Sequence, residues 1–134
     1  MKVQSKIDNM VQVLENYNYR VRVFSELDWH EQFYTLDIYS ERHPWLSERF
    51  KIEHKESSQG KYYFYIKLNL HDSDLTPRDT KLMMGFWNET VEICNHLNNL
   101  KIPYIKEYEG ENGLIKYLKE AYKKRNKRFS VMNV

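Results

Sequence analysis

The chain has 134 residues, 41% of them apolar and 30% charged, with a net charge of +2. No run approaches the roughly 20 apolar residues of a membrane helix, and Met1-Lys2-Val3-Gln4-Ser5 turns polar too early for a secretory leader. One cysteine, Cys94, makes neither an internal disulfide nor a thiolate zinc site, so a soluble, cytoplasmic single domain over 1–134 is expected.

The first helix is marked by Ile7, Met10, Val11, Leu14 and Tyr17 at helical spacing. Ser5 and Asp8 have capping-box spacing, and Asn16-Tyr17-Asn18 suits a left-handed exit. Four strand-like segments follow. Over 20–26, Val21 and Val23 alternate with Arg20, Arg22 and Phe24. Over 33–41, Tyr34, Leu36 and Ile38 alternate with Phe33, Thr35, Asp37 and Tyr39. Over 49–56, Phe50 and Ile52 oppose Arg49, Lys51, Glu53 and Lys55. Over 61–71, Tyr62, Phe64, Ile66, Leu68 and Leu70 oppose Lys61, Tyr63, Tyr65, Lys67, Asn69 and His71. A period of two sustained this long predicts strands. The short Ser57-Ser58-Gln59-Gly60 turn predicts an antiparallel hairpin between the third and fourth.

A second helix begins at Thr76 and Pro77, with Asp79 at the capping-box site, and runs to about Leu100. Met83, Phe86, Trp87, Thr90, Cys94 and Leu97 form its buried stripe, with Leu82 and Ile93 at the border. Gly85 costs this helix roughly 1 kcal/mol relative to alanine, so it marks a close approach by another element. A fifth strand is expected over 102–108, at a sheet edge because Pro103 lacks a donor. After the turn at 109–113, Leu114, Ile115, Leu118, Ala121 and Tyr122 mark a last helix. It leads into a basic tail over 123–134. The fold class is α+β: a largely antiparallel five-stranded sheet with three helices, in the order αββββαβα. Helices stack on the apolar face and leave the other face open.

Charge is segregated on that open face. Arg20, Arg22, Arg49, Lys51, Lys55, Lys61 and Lys67 stand against Asp37 and Glu53. Phe24, Phe33, Tyr39, Tyr63 and Tyr65 interleave with them, and Lys123, Lys124, Arg125, Lys127 and Arg128 add a basic cluster. Cations with stacking rings suit single-stranded nucleic acid. They suit a protein partner equally, because Tyr and Arg anchor interfaces. Packing and solubility account for the same residues with no partner at all. Trp29 and Trp45 lie in loops, where an exposed Trp anchors a partner and a buried one caps the core.

Candidates for catalysis are few. Asp37 on one strand, followed by Glu53-His54-Lys55 on the next after an N-terminal helix, resembles the restriction-endonuclease-like nucleases. The resemblance implies Mg²⁺ held by Asp37 and Glu53, with Lys55 assisting the attacking water. The tight hairpin and fourth strand that follow depart from that family, which places a helix there. His71-Asp72-Ser73-Asp74 lacks the EF-hand pattern and reads as a strand-to-helix turn. Glu92 and His96, four apart, read as a helix-surface pair. Cys94 lies on an apolar stripe and reads as packing. No Gly-rich phosphate loop is present.

The sequence therefore predicts a binding protein without catalysis, metal or cofactor. The expected activity is that of a small regulator or inhibitor docking on a host protein or nucleoprotein. Direct nucleic-acid binding is the alternative, and a homo-oligomer is compatible with the edge strand. One alanine against 14 Lys, 11 Asn, 11 Tyr and 8 Ile reflects A/T-rich codons. Such a bias fits a low-GC bacterium, or a phage or mobile element that antagonises a host nucleic-acid-handling or defence system.

Overall fold

The computed structural model describes residues 3–28, 31–70 and 80–110, together with Lys116, Glu120 and Lys123. The elements are α1 (Val3–Asn16), β1 (Arg20–Asp28), β2 (Glu31–Tyr39), α2 (Leu46–Arg49), β3 (Phe50–Glu56), β4 (Tyr62–Leu70), α3 (Thr80–Asn99) and β5 (Tyr104–Gly110). Lys116, Glu120 and Lys123 are helical, which completes the expected order. The strands form one sheet in the order β1-β2-β3-β4-β5. The first three pairings are antiparallel, and β4–β5 is parallel because α3 carries the chain back between them. β5 is an edge strand, as Pro103 just before it suggests.

Local signals explain most boundaries. Asn18 adopts φ 68°, with Tyr19 N–H donating to Leu14 C=O and Asn18 N–H to Glu15 C=O, a Schellman exit from α1. Lys101 at φ 58° repeats the motif after α3, with Ile102 N–H on Leu97 C=O. Gly60 supplies φ 78° at the β3–β4 turn, where Ser57 N–H donates to Lys61 C=O at 2.7 Å. Two expectations fail locally. Ser5 lies inside α1 rather than capping it, and Asp8 instead accepts from Gln4 one turn earlier, at 2.9 Å. The one-turn α2 takes up 46–49, so Arg49 is helical and β3 starts at Phe50. The start signal at Thr76, Pro77 and Asp79 and the turn at 71–74 lie outside the described residues.

The core fills one face of the sheet. Ile7, Met10 and Leu14 of α1 meet Leu36, Ile38, Phe50, Ile52, Ile66 and Leu68 from the strands, with Met83, Phe86, Ile93 and Leu97 from α3. Each such buried side chain contributes about 1.5–3 kcal/mol. Ile93 is fully buried, at the centre of the stripe rather than its border. Val23 has the register of the core face, opposite Leu36, yet is exposed. β2 pairs with β3 only over Tyr34–Asp37, so the far half of the β1–β2 hairpin projects past its neighbour.

Gly85 sits where the sequence places a close approach. A Cβ there would lie 2.7 Å from the His43 ring. His43 is buried, bonded through Nε2 to the Leu82 carbonyl and packed edge-on to Trp45.

Candidate interaction surface

The register defines the outer face. Arg22 stands opposite Asp37, Asp37 opposite Lys51, and Lys51 opposite Lys67, which faces Glu107. Thr35, Glu53, Tyr65 and Ile105 form the next row. α1 and α3 pack their buried stripes into the core on the other face.

The charge excess expected here is largely cancelled. Glu26 on β1 and Glu107 on β5 share the face, and Arg49 leaves it for α2. Lys55 Nζ sits 3.2 Å from Glu107 and 3.6 Å from Glu53, and Lys67 Nζ is 3.6 Å from the other Glu53 oxygen. Lys55 also lies 4.9 Å over the Tyr65 ring. Tyr65 is buried and Tyr63 half-buried, meeting edge-on, so Tyr65 is not an exposed stacking platform. Exposed pairs are worth little, and these half-buried ones more, because water screens them less.

The nuclease-like residues share this face as expected. Lys55 is held by two glutamates. Among the described residues no group of three His, Cys, Asp or Glu side chains could hold a metal ion. One Asp37 carboxylate oxygen is buried without a hydrogen-bond partner.

Exposed cations gather at the β1–β2 end beside a half-buried ring. Arg22 lies 5.2 Å over the Tyr39 ring, and Arg20 makes a highly exposed pair with Glu41 at 3.4 Å. Beside them is a hollow of about 610 Å³, lined by Asn18, Tyr19, Arg20, Tyr39, Ser40, Glu41 and Arg42. Lys51, Lys61 and Lys123 are exposed elsewhere. Trp45 is half-buried on the core with the Arg49 guanidinium 4.0 Å above it, so it caps the core. Trp29, Lys124, Arg125, Lys127 and Arg128 lie outside the described residues.

Two residues that line the hollow, Tyr19 and Arg42, belong to a polar cluster that the periodicity of the sequence does not announce. Tyr19 donates its hydroxyl to Glu89, which is buried on α3. Arg42 Nε lies 3.3 Å from Glu89, its guanidinium lies 4.9 Å over the Tyr19 ring, and it donates to the Tyr17 carbonyl at 3.3 Å. Burial, then Glu89, pushes the Tyr19 hydroxyl far above its usual range. The available signal was a carboxylate at core spacing, three residues after Phe86 and four before Ile93. Tyr17 is half-exposed rather than part of the apolar stripe, and its ring centroid lies 4.0 Å from that of His96, the planes tilted by 35°. His96 is buried, 3.9 Å from Glu92, rather than solvent-facing.

Cys94 is buried as expected, and burial raises its thiol pKa, against the lowering effect of a Tyr104 hydrogen bond. No helix among the described residues is long and apolar enough to cross a membrane. Against protein-family models, curated proteins and solved structures, the chain finds no match.

Proposed function

We propose that this is a non-catalytic binding protein, a small regulator or inhibitor that docks on another protein through the β1–β2 end of its outer face. The carrying observation is the concentration of Arg20, Arg22 and Tyr39 beside a hollow whose lining includes Tyr19 and Arg42, both tied to the buried Glu89. An arginine over a tyrosine ring beside a concavity is the chemistry of an interface anchor. Acidic or aromatic side chains of the partner fit it best. A long nucleic-acid track is less well supported, because Glu53 and Glu107 neutralise the cations across the centre of the sheet.

The test is Tyr39→Ala in the full chain, checked for fold by circular dichroism. Immobilised wild type and variant are compared for capture from the native host. Loss of a specific captured protein in the variant supports the docking face. An unchanged captured set refutes it.

A further inference from the structure

β1 is a free edge. β2 pairs with one side of it, and no described strand pairs with the other. Proteins usually blunt such edges with proline, a bulge or charges placed against pairing. β1 contains no proline, and its ladder with β2 is unbroken over nine residues. Val23 and Phe24, on opposite faces of the strand, are 42% and 48% exposed. Its charges are sorted rather than scattered, with Arg20 and Arg22 in the first half and Glu26 and Asp28 in the second.

We propose that β1 pairs antiparallel with β1 of a second copy of this chain, about a two-fold axis at Phe24. Arg22 then falls opposite the partner's Glu26, and Arg20 opposite the partner's Asp28. Phe24 meets the partner's Phe24, and Val23 meets the partner's Ser25. Two-fold symmetry makes each unlike pair twice. Edge pairing preserves the alternation of faces, so the register slips only in steps that keep it. A slip in one direction sets Phe24 against the partner's Arg22, and in the other against the partner's Glu26. Parallel pairing sets like charge against like. The centred antiparallel register is the one that matches charge with charge and ring with ring. The Arg20–Glu41 pair and the Arg22–Tyr39 contact are surface interactions that yield readily to it. The product is a continuous ten-stranded sheet. It draws Arg20 and Arg22 away from the docking face proposed above but leaves Tyr39 on β2 outside the new seam, so a Tyr39 variant and the β1 charge variants test the two separately.

Sedimentation equilibrium of the full chain over a wide concentration range tests this. The wild type is expected to dimerise reversibly. Arg22→Glu and Glu26→Arg each create two like-charged pairs and weaken the dimer by about tenfold or more. Mixing the two variants in equal amounts restores dimer, because each then offers the charge the other lacks. Amide exchange along β1 in the wild type should slow as concentration rises, which needs no variant. A wild type monomeric at every concentration overturns the proposal. So does a dimer indifferent to both substitutions, a failure of mixing to recover it, or β1 exchange independent of concentration.

Discussion

Gly85→Ala isolates one packing decision. In an open helix it would stabilise by about 1 kcal/mol. Here the new methyl lies 2.7 Å from His43 Cδ2 and 2.9 Å from Nε2, well inside contact distance. The ring cannot swing clear cheaply. It is buried, bonded to the Leu82 carbonyl, and held between Trp45 and Phe86. Overpacking a tight site costs about 1–3 kcal/mol. Losing the imidazole hydrogen bond adds about 1 kcal/mol. Net destabilisation of about 2 kcal/mol is expected, a fall in Tm of about 7 °C for a chain of this size. The decisive assay is a double-mutant cycle in urea with His43→Ala. In that background the obstacle is gone, so Gly85→Ala should become stabilising by up to about 1 kcal/mol. The same sign of effect in both backgrounds would refute the reasoning.

Burial holds the imidazoles of His43 and His54 below their usual value near 6.5, with the Leu82 hydrogen bond opposing it at His43 and Lys6 reinforcing it at His54. The unfolded chain therefore binds more protons below pH 6.5. Their stability contribution is full above that pH and falls as pH drops toward the folded values, by at most about 1.4 kcal/mol per pH unit for each group. His54→Phe should remove its share of that slope in urea melts at pH 5 to 8, and an unchanged slope would contradict it. Glu89→Ala strands the buried Tyr19 hydroxyl and frees Arg42, and should cost about 3 kcal/mol in urea unfolding. Glu53→Ala, between half-exposed lysines, should cost less than about 1 kcal/mol. Equal costs would show that burial does not separate the two networks. Cys94 should react with a thiol reagent only as fast as the chain opens, and rapid labelling of the folded protein would contradict its burial.

Strict alternation and helical spacing made the elements legible, because each strand has one face in the core and each helix one stripe. Gly85 was legible for a similar reason: a helix keeps a glycine where something else takes the space. The charge balance of the outer face was not. It depends on β5 lying beside β4, which brings Glu107 to Lys55, and a parallel neighbour reached through α3 leaves no local trace. Alternation alone puts Arg49 on the strand, because 49–56 alternates whether or not its first residue closes a helical turn. The Tyr19–Glu89–Arg42 cluster joins three distant segments, and only the anomaly of a glutamate at core spacing announced it.

Lys55 and Lys67 at the centre of the outer face are committed to Glu53 and Glu107, and we propose that the exposed cations at the β1–β2 end meet a protein rather than phosphate. Fluorescence anisotropy with labelled single- and double-stranded DNA and RNA tests it most directly. It should be run with Mg²⁺ at low and near-physiological salt, followed by a denaturing gel. Weak association, a shallow salt dependence and intact probes are expected. Tight binding that collapses steeply with added salt, or cut probes, would contradict it.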